Sequence, residues 1–96
     1  MLALRPCCEH CGKALPYNAT DAMICSFECT YCETCALTVF KNVCPSCGGN
    51  FEKRPIRPAK HLKKYPPLTQ HIIKPKTLSK IAGFIEDYKN IPPADR

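Results

Sequence analysis

Eight cysteines of this chain fall into four close pairs, and their spacing constrains the fold more than any other feature. The pairs are Cys8/Cys11, Cys25/Cys29, Cys32/Cys35 and Cys44/Cys47. A C-x2-C turn places two sulfur atoms on one side of a tight knuckle, which is half of a tetrahedral zinc site. Four half-sites therefore predict two metal sites, each filled by four thiolates.

Two of the knuckles carry a further indication of metal binding. "CEHCG" at 8–12 and "CPSCGG" at 44–49 each place glycine directly after the second cysteine. Glycine accepts a positive φ, which lets the chain turn away and aim backbone N–H groups at sulfur. Pro45 pre-sets φ inside the last knuckle. Similar knuckles bind iron in rubredoxin-like proteins, but one iron needs only four of the eight cysteines, so zinc is the expected metal, two per chain.

The cysteine-containing half is too small to be stabilised by a hydrophobic core alone. Segments of about 50 residues or fewer usually need disulfides, metal or a partner. The N-terminal "MLALRPCCEH" has no apolar stretch of the signal-peptide kind, and no window approaches a membrane span. We therefore expect a cytoplasmic protein without membrane association, where clustered cysteines are more often metal ligands than disulfides.

The distances between the pairs predict which of them share a metal. The intervening segments contain 13, 2 and 8 residues. Because pairs two and three are too close to share one tetrahedron comfortably, we predict that the sites interleave. Site one then contains Cys8, Cys11, Cys32 and Cys35, and site two contains Cys25, Cys29, Cys44 and Cys47. Cys7 is either a spare thiol or a replacement for Cys8, and His10 is expected to be exposed and not a ligand.

The order of these features resembles the cross-brace of RING-type zinc domains, which are relatives of the treble clef. Cys29 stands where many RING domains have histidine. More narrowly, "LRPCCEHCGKALP", "DAMICSFECTYCETC" and "VCPSCGGNFEKRPIRPA" resemble a family of small bacterial cysteine-rich proteins classed as a domain of unknown function, over roughly residues 1–60. That resemblance implies zinc binding and no established activity.

We expect a small zinc-stabilised α+β fold, with a RING-like cross-brace, a β-hairpin and one short helix. The hairpin is predicted over 21–32 and the helix over 33–42, capped by Thr34 or Thr30, with Leu37 and Phe40 on one face. The predicted organisation is a two-zinc module at 1–50, a basic proline-rich linker at 51–76 and a C-terminal amphipathic helix at 77–91. That helix, capped by Thr77 or Ser79, would dock on the module, on a second copy as a homo-oligomer, or on a partner.

The balance of basic and acidic side chains differs between the two halves of the chain. Residues 1–50 contain three basic and four acidic side chains, whereas residues 51–96 contain eleven basic and four acidic ones. The basic run after Phe51 could bind nucleic acid, with Phe51 and Tyr65 available for stacking. Otherwise it is a solvated linker, or it neutralises the metal-binding half. The candidate nucleic-acid contacts are Lys53, Arg54, Arg57, Lys60, Lys63 and Lys64.

The predicted function is a non-enzymatic zinc-binding protein that acts as an interaction module for an unidentified protein partner. A catalytic zinc keeps one coordination position open, whereas four thiolates close both predicted sites. The chain has no H-x-x-x-H motif and no glycine-rich phosphate loop. The main alternative is a nucleic-acid-binding zinc protein. Weaker alternatives are a thiol redox sensor and a ubiquitin-ligase-like RING, for which Pro45 is present but His10 replaces the expected aliphatic residue.

Overall fold

The computed structural model describes residues 1–96 and contains one small sheet and one α-helix. The strands are β1 (Ala22–Ile24), β2 (Thr30–Cys32) and β3 (Glu52–Lys53), and the helix is α1 (Leu78–Tyr88). A short π-helical turn spans Thr34–Val39, and single 3-10 turns span Ala59–His61 and Pro93–Asp95. The expected α+β class is confirmed. No helix is long and apolar enough to cross a membrane.

The sheet has the order β2–β1–β3, and both pairings are antiparallel. The predicted hairpin forms β1 and β2, with Met23 opposite Tyr31, and its turn uses the left-handed backbone of Glu28 (φ 65°). Strand β3 adds to the other edge of β1, so that Met23 also lies opposite Lys53. The sheet therefore continues past residue 50, where the composition of the chain changes.

Aromatic side chains form the centre of the core. The ring of Tyr31 meets the rings of Phe40 and Phe51 edge to face, with centroids 5.0 and 5.5 Å apart. Edge-to-face contacts of this kind stabilise a core beyond the area that they bury. Buried cysteines from the knuckles surround these rings, and Ile85 from α1 joins the same cluster. One core thus includes residues from the metal-binding half and from the C-terminal helix.

The segment predicted as an α-helix over 33–42 is shorter and wider than expected. The N–H of Phe40 donates to the carbonyl of Cys35 five residues earlier, at 2.8 Å. Because this winding adds a residue to the turn, Ala36 and Phe40 are buried while Leu37 is 42% exposed. The prediction that Leu37 and Phe40 share a face is therefore wrong. Neither predicted cap is used: Glu33 occupies the N-cap position, and its side chain makes no capping bond to the turn.

The segment predicted as a linker crosses the first knuckle, and we call residues 68–76 the strap. The N–H of Leu68 donates to the carbonyl of Leu4 (3.0 Å), and that of Lys74 donates to the carbonyl of Glu9 (2.7 Å). The Cδ1 atom of Ile73 lies only 3.2 Å from the position that a Cβ on Gly12 would occupy. The strap is therefore held by the knuckle that carries Cys8 and Cys11 and by the segment just before it.

The predicted C-terminal helix is confirmed, and its apolar face packs on the module of the same chain. Ile85 is buried in the core, and Phe84 lies 3.3 Å from the position of a Cβ on Gly48. Lys41 pairs with Glu86 (3.3 Å), and the neighbouring Lys89 and Lys41 lower the pKa of that carboxyl. Thr77 is the N-cap residue but makes no capping bond. A homo-oligomer built on this face would first have to release it from its own module.

Candidate metal centres

Four thiols gather in the first centre, from Cys8, Cys11, Cys32 and Cys35, and their sulfur atoms all lie within 4.8 Å of one another. Three of these cysteines are buried and Cys11 is exposed. The sulfur atoms of Cys11 and Cys32 are 3.7 Å apart. A tetrahedral zinc with Zn–S bonds of about 2.3 Å places neighbouring sulfur atoms about 3.8 Å apart. The donor set and its spacing therefore fit a zinc ion.

Local backbone bonds build the first centre from two distant segments. In the knuckle, the N–H of Cys11 points at the sulfur of Cys8 (3.5 Å), and Gly12 turns the chain with a φ of 80°. Cys32 ends β2 and Cys35 lies in the π-helical turn. The N–H of Glu9 donates to the carbonyl of Thr30 (3.0 Å), and the carboxylate of Glu9 accepts the N–H of Thr30. These two hydrogen bonds between Glu9 and Thr30 join the first knuckle to the hairpin.

The second centre gathers the thiols of Cys25, Cys44 and Cys47 within 4.8 Å of one another. Backbone N–H groups again point at sulfur: Phe27 toward Cys25 (3.4 Å) and Gly49 toward Cys47 (3.4 Å). Cys29, the fourth predicted member, lies outside this group and is only partly buried. Its thiol nevertheless lies close enough to Cys44 and Cys25 to contribute to the pKa shifts of both.

Four thiols of the two centres, those of Cys25, Cys32, Cys35 and Cys44, have a raised pKa and so resist losing their protons. Burial raises the pKa of Cys25 to about 11 and also raises the pKa of Cys35 and Cys32. For Cys44, the hydrogen bond with Cys29 is the largest cause of a raised pKa, followed by burial. Cys8 is the exception: burial raises its pKa, but backbone N–H groups outweigh that effect and lower it. A bound divalent cation would supply the charge that stabilises these thiolates and would displace their protons.

Cys7 and His10 lie beside the first centre but do not belong to it. Cys7 is 1% exposed, and its thiol lies 4.0 Å from the carbonyl of Ile72 in the strap. His10 is half-buried, which differs from the exposure we expected. Its ring packs edgewise on Phe40 (5.1 Å between centroids), and its Nδ1 accepts the N–H of Lys76 at 2.9 Å. Both side chains therefore hold the strap.

Half of the basic residues predicted to contact nucleic acid already bond to groups of the same chain. Arg54 is only 4% exposed, and its guanidinium donates to the carbonyls of Arg5 (2.9 Å), Leu15 (3.1 Å) and Pro16 (2.8 Å). Arg54 is therefore unavailable to a phosphate backbone, and its prediction as a contact is wrong. Burial also lowers its pKa.

Lys53 and Arg57 also make internal bonds. The Lys53 ammonium donates to the carboxylate of Glu33 (2.5 Å) and the carbonyl of Thr20 (2.8 Å). Arg57 donates to two carbonyls and is half-buried. Phe51, predicted to stack on bases, is buried in the core. The exposed members of the predicted set are Lys60, Lys63 and Lys64, together with Lys53. No local pattern distinguishes the buried Arg54 from its exposed neighbours.

Comparison with known proteins gives a family but no activity. Residues 1–57 match the family described as "Protein of unknown function (DUF1272)". An uncharacterised protein of Rhizobium meliloti (strain 1021) is 55% identical over 75 residues, which is 78% of this chain and 89% of that relative. No solved structure matches. Because the family match covers more than half of the chain and includes every cysteine, the protein belongs to the DUF1272 family of cysteine-rich proteins.

Proposed function

We propose that this protein is a non-enzymatic structural zinc protein whose two thiolate sites form a RING-like, treble-clef cross-brace that serves as a protein-interaction module. The observation that carries the proposal is the interleaved grouping of the thiols. The first and third cysteine pairs meet in one centre, and Cys25 of the second pair meets the fourth pair in the other. In this proposal Cys29 completes the second centre, since its thiol already borders Cys44 and Cys25.

Zinc is favoured by the chemistry of the donor set. Soft thiolates select zinc, copper(I) or iron, and a four-sulfur tetrahedron is typical of zinc and of iron–sulfur sites. Backbone N–H groups point at the sulfur atoms of Cys8, Cys25 and Cys47, which is the arrangement expected around metal-bound sulfur. A bound zinc ion would cross-link segments that are distant in the chain. All nine cysteines are free thiols, which supports a reducing compartment such as the cytoplasm.

A structural role for the metal follows from the number of thiols and from the size of the core. Four thiolates leave no open position for water or substrate. The buried set contains only 19 of 96 residues, and several of its members are the cysteines themselves. Without metal, these thiols contribute packing but no cross-link, so folding of the module should depend on metal binding.

The decisive experiment counts the metal ions bound by variants in which one cysteine is replaced by serine. Native mass spectrometry of protein purified without added metal should show two zinc ions per chain. Cys32→Ser should lose the ion of the first centre and Cys44→Ser that of the second. Cobalt substitution, read by thiolate-to-metal absorption, gives the same count without relying on zinc retention. Cys7→Ser is the matched control and should keep both ions.

Two results would contradict the proposal. One ion in the wild-type protein would remove the cross-brace, and an iron absorption spectrum would replace zinc with iron. Loss of metal from Cys7→Ser would assign Cys7 as a ligand in place of Cys8.

Nucleic-acid binding is the less favoured alternative. The burial of Arg54 and Phe51 removes one cationic and one stacking contact from the predicted surface. Fluorescence anisotropy with a labelled oligonucleotide tests it directly. Steeply salt-dependent affinity would support nucleic-acid binding, and no binding at low salt would remove it.

A further inference from the structure

An apolar cleft that no cysteine lines lies between the N-terminal segment and residues 55–65. It has a volume of about 360 Å³, within the usual range for ligand pockets. Its lining includes the apolar side chains of Met1, Leu2, Leu4 and Ile56 and the ring of Tyr65. Ile56 is 51% exposed, so part of this apolar surface faces solvent. Exposed apolar surface of this kind marks binding sites more often than chance.

The two walls of the cleft are fixed to each other by Arg57. Its guanidinium donates to the carbonyl of Tyr65 (2.9 Å) and to the carbonyl of Leu2 (2.8 Å). The floor is also fixed, because Leu4 is buried and its carbonyl accepts the N–H of Leu68 (3.0 Å). The cleft therefore exists before any partner binds, which lowers the entropic cost of binding.

The surroundings of the cleft are strongly basic. The stretch from Lys53 to Ile85 contains nine lysines and arginines and no acidic residue. His61 lines the cleft, and the lysines on the same segment, Lys60, Lys63 and Lys64, are exposed. An apolar cleft next to unpaired cations complements a ligand that is apolar in the middle and acidic at its ends.

We propose that this cleft is the docking site for an acidic segment of a partner protein, which inserts one apolar side chain between Leu4, Ile56 and Tyr65. The proposal rests on the proposed function, because it names the surface that the interaction module uses. A nucleic acid fits less well. The ammonium of Lys64 lies over the Tyr65 ring, 5.5 Å from its centroid, and so occupies one of the two faces on which a base could stack. The nearest alternative stacking residue, Phe51, is buried.

The experiment uses the zinc-loaded full chain and a short fluorescein-labelled peptide of Asp and Glu with a central Leu–Phe pair. Fluorescence anisotropy measures its affinity, and amide NMR shifts locate it. We expect shifts at Leu2, Ile56 and Tyr65. A matched peptide with Ser–Ser at its centre should bind about tenfold more weakly or worse, since one buried apolar side chain contributes at least a factor of that order.

Matched variants separate apolar docking from simple charge attraction. Ile56 and Leu78 are both 51% exposed, but only Ile56 lines the cleft. Ile56→Ser should weaken peptide binding about tenfold, whereas Leu78→Ser should leave it unchanged. The pair Lys60→Gln/Lys63→Gln should reduce the affinity more than Lys74→Gln/Lys80→Gln, and raised salt should diminish that difference.

Equal binding of the two peptides, or wild-type affinity in Ile56→Ser, would overturn the proposal. So would an oligothymidylate that binds more tightly than the peptide and shifts the same amides. Native mass spectrometry of the same samples distinguishes failure of the docking proposal from failure of the proposed zinc-binding function. Two zinc ions without peptide binding defeat the docking site alone, whereas absence of zinc defeats the proposed function.

Discussion

Substitution of Gly48 by alanine tests how the C-terminal helix is joined to the second metal centre. Gly48 follows Cys47, is buried, and has a φ of 81° in the left-handed region. A Cβ added there would lie 3.3 Å from Cζ of Phe84 in α1, which is a tight contact. The same position therefore demands both backbone freedom and space.

The expected cost follows from opposing contributions. Holding a non-glycine residue in the left-handed region costs about 1–2 kcal/mol. Alanine restricts the unfolded chain and so returns about 0.4–1 kcal/mol. The contact with the Phe84 ring adds to the cost unless the ring shifts by a few tenths of an ångström. We expect Gly48→Ala to lower the free energy of unfolding by about 1 kcal/mol. If folding is coupled to zinc binding as proposed, the apparent zinc affinity should fall about fivefold.

Gly83→Ala provides the control with the identical chemical change. Gly83 lies inside α1, and a Cβ there would meet no atom within 4 Å. Alanine in a helix interior is about 0.5–1 kcal/mol more favourable than glycine, so this variant should be more stable than the wild type. Denaturant unfolding of the zinc-loaded protein and competition with a chromogenic chelator measure both effects. Equal stability of Gly48→Ala and Gly83→Ala would contradict the close packing of α1 against the last knuckle.

Three further predictions follow from buried contacts. Arg54→Met should destabilise the protein by about 3 kcal/mol in denaturant unfolding, because three carbonyls that the guanidinium satisfies lose their donor. Lys60→Met, at an exposed position, should change stability by less than about 0.5 kcal/mol, and equal effects would contradict the buried role of Arg54. His10→Phe keeps a ring against Phe40 but removes the acceptor for the Lys76 N–H. It should cost about 1 kcal/mol and speed amide exchange within 68–76, whereas unchanged exchange would show that the strap does not depend on this bond. Metal removal by a chelator should raise amide exchange in α1 together with the module, because Ile85 lies in the common core; protection that persists in α1 would show that the helix folds alone.

The arrangement of the cysteines in close pairs could be predicted from the sequence, because it depends only on the few residues that separate the two members of a pair. Two residues between cysteines bring two sulfur atoms to one side of a turn wherever that turn lies in the fold. Glycines directly after the knuckles indicated positive φ, and Gly12 and Gly48 both have it. Helical periodicity likewise placed α1, which spans Leu78–Tyr88. Each of these predictions uses only residues that are near one another in the chain.

The predictions that failed depended on which distant segment packs against a residue. Leu37 and Phe40 were assigned to one face on α-helical spacing, but the turn is wider, because Phe40 must reach the Tyr31 ring while Cys35 stays with the first centre. Arg54 lies in the same basic, proline-rich run of the sequence as its exposed neighbours. It is buried because the carbonyls of Arg5, Leu15 and Pro16 converge on one point in space.

The sequence by itself therefore determined the cysteine pairs, the glycine turns and the C-terminal helix, since these follow from spacing along the backbone. Only the tertiary structure decided that the C-terminal part of the chain packs against both knuckles, with Ile73 of the strap at Gly12 and Phe84 of α1 at Gly48. For the strap, the physical reason is that an extended, proline-rich segment has no hydrogen-bonding partners of its own. Where such a segment lies is set by the acceptors and the space that the rest of the fold offers it.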